Sequence, residues 1–289
     1  MTLDAGTLTN LISDEIIKAM GLSLHNPLGN WLRPIFERGT RRFSELFAEV
    51  DRIVGERGFA EGARTLLPHL VSSFEVHGAE NIPQDGPLVV ASNHPGTADS
   101  VVITAGVSRP DFKIVASAVP FLQHLPNVSK HLIFTPASDP HARMNVVREA
   151  IRHLESGGSL LLFGRGRIDP DPAFMPHADE NLSHWSRSLE IFLKQVPRTR
   201  VLVTVVSGVL HPRFMRHPLT RLRRSREDRQ RLAMMLQVIQ QMLGKKIELM
   251  ARVTFGDLIS GESMGGKEHV LPAIVQSATG LLAKHPRQA

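Results

Sequence analysis

The chain has 289 residues, of which 42% are hydrophobic and 21% are charged, as in an ordinary soluble globular protein. These fractions exclude a disordered chain, a collagen and a coiled-coil rod. The absence of cysteine excludes disulfides, thiolate metal sites and cysteine nucleophiles. The formal net charge of +6 favours anionic partners, namely phosphates, nucleic acid or anionic lipid, without choosing among them.

The N-terminus has neither the basic start nor the apolar stretch of a signal peptide. No segment approaches 18 uninterrupted apolar residues, the length that a membrane-spanning helix needs. We therefore expect a cytoplasmic protein that does not cross a membrane.

Residues 1–72 predict a helical extension. Apolar side chains recur at helical spacing in two stretches, 8–20 and 43–54, and two prolines and a glycine in the intervening HNPLGNWLRPIF predict a break. We expect both helices to pack on the core. The alternative is that they lie in a bilayer interface, with these side chains at headgroup level: Trp31, Arg33, Phe36 and Arg38.

Residues 73–289 predict an α/β domain. Seven short runs predict strands: SSFEVHG, PLVVASN, FKIVAS, HLIFT, SLLLFG, VLVTVVSG and IELMARVTFG. Four segments predict helices: ADSVVITAG, ARMNVVREAIRHLESGG, REDRQRLAMMLQVIQQMLG and EHVLPAIVQSATGLLAK. Alternating strands and helices indicate a sheet with helices packed against it.

The segment Asn93–Ser100 carries the strongest sign of chemistry. It joins a predicted strand to a predicted helix, and ligands bind at the carboxyl ends of strands in open α/β sheets. The Pro-Gly pair after His94 supports a tight turn that can bring the imidazole to Asp99. The carboxylate would then hold the Nδ1 proton and leave Nε2 as a general base. The alternative is that Asp99 only caps the helix and His94 is an ordinary turn residue.

The stretch EVHGAENIPQDGPLVVASNHPGTADS resembles the first block of the glycerophospholipid acyltransferases. That family has Asn-His-x4-Asp after a Gly-x-Glu-Asn-Ile-Pro-like lead-in, which here is Gly78–Pro83 followed by His94 and Asp99. The resemblance extends over about residues 74–210 and implies a mixed, mainly parallel sheet flanked by helices. We also expect Asn93 and Thr97 to contact substrate.

The resemblance implies a catalytic role for His94 and Asp99. His94 would deprotonate an acceptor hydroxyl, and Asp99 would orient the imidazole and stabilise its charge. The hydroxyl would attack the thioester of acyl-CoA or acyl carrier protein directly, without an acyl-enzyme, a metal or a cofactor. The acceptor would be a phospholipid precursor, another lipid or an alcohol, which would place the protein in phospholipid biosynthesis.

The third block departs from the family's Phe-Pro-Glu-Gly-Thr-Arg. Here the run is Phe-Gly-Arg-Gly-Arg-Ile from Phe163, so that Arg165 replaces the glutamate. Thr135, Pro136 and Ala137 stand where the second block usually ends in an arginine that holds the acceptor's phosphate. Glycines permit close backbone approach and guanidiniums bind anions in pairs of hydrogen bonds, so we expect an anion site formed by Gly164, Arg165, Gly166 and Arg167. In the alternative, Asp169 and Asp171 pair with these arginines.

Eight arginines lie between positions 213 and 231. This stretch has few aromatic residues to stack on bases, so we expect no nucleic-acid partner. Anionic lipid headgroups or the phosphates of CoA fit it better, which adds an anionic membrane surface on the cytoplasmic side as an expected partner. The alternative to an enzyme is a non-catalytic lipid- or nucleic-acid-binding protein that retains the fold.

Overall fold

The structure is a computed structural model that describes residues 5–19, 27–136, 140–260 and 270–286. Within these ranges, the side chains of residues 5, 19, 27–36 and 140–143 are not described. Ala137, from the second block, lies outside the described residues.

Ten α-helices and seven β-strands are found in the described ranges. The helices are α1 (Ala5–Ala19), α2 (Pro27–Arg57), α3 (Phe59–Leu70), α4 (Asp99–Gly106), α5 (Pro120–Gln123), α6 (Pro140–Glu155), α7 (Ser188–Gln195), α8 (Pro212–Met215), α9 (Arg226–Met242) and α10 (Val270–Lys284). The strands are β1 (Ser73–His77), β2 (Leu88–Ser92), β3 (Phe112–Ser117), β4 (Leu132–Thr135), β5 (Ser159–Phe163), β6 (Arg200–Ser207) and β7 (Met250–Ser260).

The strands form one sheet in the order β1-β7-β6-β2-β5-β3-β4. Strands β2 to β6 are mutually parallel. Strand β7 is antiparallel to β6, and β1, which pairs with β7 in parallel, lies at one edge of the sheet that the described strands form. The sheet is therefore mixed and mainly parallel with helices on both faces, and the predicted fold class is confirmed.

The central strands are apolar because helices cover both of their faces. In β2, Leu88 and Val90 belong to one hydrophobic core, whereas Val89 and Ala91 belong to a second core on the other face. Successive side chains of a strand point to opposite faces, so each face receives alternate residues. Helices α1, α2, α3, α4 and α9 contribute to the first core, and α6, α7 and α10 to the second. The uninterrupted apolar runs in the sequence are thus explained.

The N-terminal helices pack on the first core. Leu8 of α1, Val50 of α2 and Leu67 of α3 are buried in the same cluster as Leu88 of β2. The expected packing of these helices on the core is confirmed. Trp31, Arg33 and Phe36 lie among the side chains outside the description. The division of the chain into residues 1–72 and 73–289 stays a prediction.

The prediction that Pro27, Gly29 and Pro34 break the helix is wrong. Helix α2 begins at Pro27 and continues through Pro34 to Arg57. Proline is tolerated in the first turn of a helix, where its missing N–H has no intrahelical partner. Pro34 costs a hydrogen bond, but burial of Phe43, Val50 and Val54 stabilises the long helix around it.

The sequence prediction missed three helices of the later chain, namely α7 and the single turns α5 and α8. Helix α7 buries Leu189, Phe192 and Leu193 within only eight residues, too few to show a helical period. Helix α5 is a single turn that begins with Pro120. All seven predicted strands are present, although β7 begins at Met250 and ends at Ser260, later than predicted.

Candidate active site

His94 and Asp99 meet at the carboxyl end of β2. His94 follows the strand, and Asp99 is the first residue of α4. The turn between them brings His94 Nδ1 to 2.7 Å from Asp99 Oδ2. The imidazole is 28% exposed, whereas Asp99 is 1% exposed. The carboxylate is thus inside the protein and the ring faces the site.

Backbone N–H groups hold the Asp99 carboxylate. Gly96 N donates to Oδ2 at 2.9 Å, and Ser100 N donates to Oδ1 at 2.6 Å. Oδ2 therefore accepts from both the imidazole and the turn. This arrangement fixes the tautomer with the proton on Nδ1 and leaves Nε2 able to accept a proton.

Two residues outside the motif position His94. Its ring stacks on Phe163, with centroids 4.1 Å apart and planes 19° apart. Its backbone exchanges hydrogen bonds with Asp169: His94 N donates to Oδ2 at 3.0 Å, and Asp169 N donates to His94 O at 2.8 Å. Phe163 ends β5, so the strand beside β2 supplies the support for the imidazole.

The pKa of His94 lies above its ordinary value. Burial lowers this pKa, but the charge and hydrogen bond of Asp99, together with the charge of Asp169, outweigh burial. Burial raises the pKa of Asp169 above the usual aspartate range, opposed by the His94 N–H and the charge of Arg165. His94 is therefore a stronger base than a free imidazole.

Asn93 and Thr97 occupy different environments. The Asn93 carboxamide is buried and bound to β6: Nδ2 donates to Val206 O at 2.9 Å, and Val206 N donates to Oδ1 at 2.8 Å. Asn93 therefore fixes the start of the catalytic turn to the neighbouring strand. Thr97 is exposed and lines the cavity described below. Their contact with substrate stays a prediction.

The loop after β5 lies beside the His-Asp pair. Gly164 N donates to Ser92 O at 2.8 Å, and a Cβ at Gly164 would lie 2.2 Å from Trp185 Cδ2. Gly166 is exposed with a φ of 65°, in the left-handed region. The two glycines thus permit a close approach and a tight turn. Arg167, next in the chain, is exposed.

Arg165 makes ion pairs within the protein. Its Nη1 lies 3.5 Å from Asp169 Oδ1, and its Nη2 lies 3.5 Å from Glu227 Oε2. Nη1 also donates to Ile168 O at 3.0 Å. Arg165 therefore pairs with Asp169, as in the alternative to an anion site given above. Glu227 is a second carboxylate partner that the sequence spacing did not indicate. Anion binding by this loop stays a prediction.

Asp171 does not pair with the arginines. It is fully buried and accepts hydrogen bonds from the backbone N–H groups of Gly208, Val209 and Leu210, at 2.8 to 3.0 Å. Burial raises the pKa of Asp171, and these N–H donors act in the opposite direction. Asp171 therefore fixes the loop after β5 to the end of β6.

Gln230 is a site residue that the sequence did not reveal. It lies on α9, is 2% exposed, and donates from Nε2 to Pro95 O at 3.0 Å and to Asp169 O at 2.6 Å. One side chain therefore holds both the turn that carries His94 and the segment that supports it. No sequence pattern marked it, because Gln230 lies off the helical face on which Leu232, Met235 and Ile239 recur.

A cavity of about 470 Å³ opens beside the site. Its wall includes Thr97, Ser100 and Ile168 and otherwise consists mostly of apolar side chains from α1, α2, α3, α4 and α9. This volume lies within the range of about 300–1,000 Å³ typical of small-molecule sites. Val101, Phe121 and Leu122 also line the cavity.

Residues 73–186 match the sequence profile of the Acyltransferase family. The matched range contains His94, Asp99 and the loop after β5. Residues 73–186 are an acyltransferase domain. The match supports the expected enzyme class, since it identifies these residues as an acyltransferase domain.

No curated protein matches the chain. A solved structure to which the chain is similar is the 1-acyl-sn-glycerophosphate (LPA) acyltransferase PlsC from Thermotoga maritima, with a TM-score of 0.49 and 14% sequence identity. The similarity covers 97% of this chain and 96% of that protein.

Across residues 5–19, 27–136, 140–260 and 270–286, no helix is long and apolar enough to cross a membrane. Within these same ranges, no group of three or more histidine, aspartate or glutamate side chains is arranged to hold a metal ion.

Proposed function

We propose that the protein transfers a fatty acyl group from an acyl thioester to a hydroxyl of a lipid or alcohol acceptor, with His94 as the general base. The observation that carries this proposal is the 2.7 Å contact between His94 Nδ1 and the buried Asp99. A general base needs a ring nitrogen free to accept a proton and a partner that stabilises the imidazolium. Nε2 and Asp99 meet these two needs.

The proposed step needs no acyl-enzyme. The acceptor oxygen attacks the thioester carbonyl carbon as its proton passes to His94 Nε2, and a C–O bond forms. The C–S bond then breaks, and the proton on His94 passes to the departing thiolate. Donor and acceptor become ester and thiol, and the enzyme returns to its starting state. CoA and acyl carrier protein thioesters both satisfy this chemistry.

The apolar cavity supports a fatty acyl chain as the transferred group. Thr97 and Ser100 of its wall flank Asp99 in the chain, so the cavity begins beside the catalytic pair. Each methylene group removed from water contributes about 0.8 kcal/mol, which favours long chains over acetyl groups. A lipid acceptor resides in a bilayer, and we therefore propose that the protein works at a membrane surface.

The ion pairs of Arg165 make a phosphate group on the acceptor less favourable. Its charge is already balanced by Asp169 and Glu227, so a phosphate at this loop would compete with two carboxylates for the guanidinium. We propose that the acceptor hydroxyl belongs to a lysolipid, a glycolipid or a small alcohol rather than to glycerol 3-phosphate. Glycerol 3-phosphate is included in the test below so that the acceptors can be compared.

The test is thiol release from palmitoyl-CoA and from palmitoyl acyl carrier protein, measured with each of these acceptors. We expect acceptor-dependent release that falls about 10²–10⁴-fold in His94→Ala, the usual contribution of a general base. His184→Ala, at an exposed histidine, is the matched control and should retain activity. If the folded protein released no thiol from either donor with any acceptor, the catalytic proposal would fail and a lipid- or nucleic-acid-binding protein would replace it.

A further inference from the structure

A basic surface with exposed leucines lies next to the candidate active site. Leu222 is 77% exposed, the highest value for any large apolar side chain that the structure describes, and Leu219 is 45% exposed. Both belong to the 3-10 turn Pro218–Leu222 between α8 and α9. Residues three apart in a 3-10 turn are eclipsed, so the two leucines project to the same side.

Hydrogen bonds hold the turn in a conformation that exposes both leucines. Thr220 between them is 1% exposed, and its hydroxyl donates to Met215 O at 3.0 Å and to His217 O at 2.7 Å. Arg229 Nε donates to Arg223 O at 2.9 Å, which ties the end of the turn to α9. Exposure of two large apolar side chains to water is unfavourable. A partner could bury both of them without any rearrangement of the turn.

Arginines surround the two leucines. The eight arginines of the stretch 213–231 are all exposed: Arg213, Arg216, Arg221, Arg223, Arg224, Arg226, Arg229 and Arg231. The stretch contains only two acidic residues, Glu227 and Asp228, and both pair with Arg231. We call Leu219, Leu222 and these eight arginines the Arg–Leu surface. It carries a large positive charge that the protein itself leaves mostly unbalanced.

The Arg–Leu surface adjoins the cavity. Arg231 is part of the cavity wall, and Glu227, one turn earlier on α9, reaches Arg165 in the site. Arg226 donates to Pro176 O in the segment after β5. A partner bound on this surface would therefore lie beside the cavity and the candidate active site.

We propose that the Arg–Leu surface docks on an anionic lipid bilayer. The arginines face the headgroup phosphates, and Leu219 and Leu222 insert into the acyl boundary. The charge is complementary to anionic headgroups, and apolar side chains among the arginines suit a bilayer. An RNA partner would favour aromatic residues for stacking, and Phe214, the only phenylalanine, tyrosine or tryptophan between positions 213 and 231, is 5% exposed. This inference deepens the proposed function, since it names the surface through which a lipid acceptor is reached.

The test is co-sedimentation with vesicles of phosphatidylcholine alone and with vesicles that contain equal parts of phosphatidylglycerol. We expect binding only to the anionic vesicles, weakened by salt. Arg221→Gln/Arg224→Gln should weaken binding at least about tenfold, given about 1 kcal/mol for each arginine near an anionic surface. Leu222→Asp should weaken binding to a similar extent.

Matched controls lie on the opposite face of the sheet. Arg148→Gln/Arg152→Gln on α6 removes the same charge, and Ile191→Asp on α7 changes a side chain that is 42% exposed. Both should bind as the parent does, and circular dichroism checks the fold of every variant. His94→Ala should also bind vesicles normally, so failure of catalysis and failure of docking are separate results.

Three results would overturn the proposal. The first is equal loss of binding in the patch and control variants. The second is binding to anionic vesicles that persists in Leu222→Asp and in Arg221→Gln/Arg224→Gln. The third is patch-dependent binding of a single-stranded RNA oligonucleotide without vesicle binding, which would assign the surface to nucleic acid.

Discussion

The charge state of His94 depends on Asp99, since burial alone would lower the pKa of the imidazole. A general base must be neutral before it accepts a proton. Because the pKa of His94 is raised, activity should be low in acid and rise with pH through a value above the ordinary histidine pKa of about 6.5. The rate is then lost as pH falls through that raised pKa.

Asp99→Asn tests this dependence. The amide carries no charge, so the pKa of His94 should fall and the rising limb of kcat/KM should move to lower pH. The rate should fall by up to about 10⁴-fold, because the amide no longer holds the Nδ1 proton in place. Asp179→Asn, at an exposed site, should keep the parent's pH profile. An unmoved rising limb in Asp99→Asn would mean that another group titrates.

At the scale of elements, the site depends on a helix distant from it in the chain. Helix α9 carries Gln230, which holds the His94 turn and the Asp169 segment, and Gln237, which donates to Val209 O at 2.8 Å. Both glutamines are buried on the same helix, at 2% and 1% exposure. They differ in what they support, since Gln237 contacts the end of β6 and Gln230 contacts the catalytic turn.

Gln230→Ala should reduce kcat at least about tenfold, because small displacements of a catalytic group cost rate steeply. The KM for the donor should change little. Gln237→Ala should lose a similar free energy of unfolding, about 1–3 kcal/mol for the buried acceptors left without donors, but keep most of kcat. Urea unfolding and steady-state kinetics on both variants separate the two effects. An equal loss of kcat would show that Gln230 acts only through stability.

The strands and the His-Asp pair could be predicted from the sequence because their signals are local. Apolar runs such as LVVAS mark a strand covered on both faces, and the residues from His94 to Asp99 form a single turn. Phe163, Asp169 and Gln230 could not be assigned, because each meets His94 or its turn only after distant parts of the chain pack together. The pairing of Arg165 with Glu227 could not be predicted either, because the two residues are far apart in the chain and meet only in the folded protein.

At the scale of the whole molecule, the cavity joins the N-terminal helices to the acyltransferase domain. Its wall includes Ile12 of α1, Phe43 of α2 and Ala63 of α3 as well as Val101 of α4. The acyl-chain preference should therefore depend on residues outside the range that matches the family. The reason is that the helices α1, α2 and α3, which precede the matched range, complete the wall of the cavity.

Ala63→Phe should shorten the preferred acyl chain. The larger side chain occupies cavity volume, so kcat/KM with a palmitoyl thioester should fall at least about tenfold relative to a decanoyl thioester. Ala283→Phe, at an exposed position of α10, should leave this ratio unchanged. The measurement is the ratio of the two kcat/KM values in each variant. An unchanged ratio in Ala63→Phe would place the acyl chain elsewhere.

The position of β1 in the sheet has a consequence for synthesis on the ribosome. Among the described strands β1 is made first, yet β7, with which it pairs, is made last, with Ser73 beside Met250. Until β7 emerges, β1 has no strand to join, and β6 presents an open edge to the solvent. β1 is therefore unpaired through most of translation, whereas the edge of β6 is open only from its own synthesis until β7 emerges, and closure of the sheet is a late, long-range event. Chaperone dependence and aggregation on slow or interrupted translation are the expected signatures.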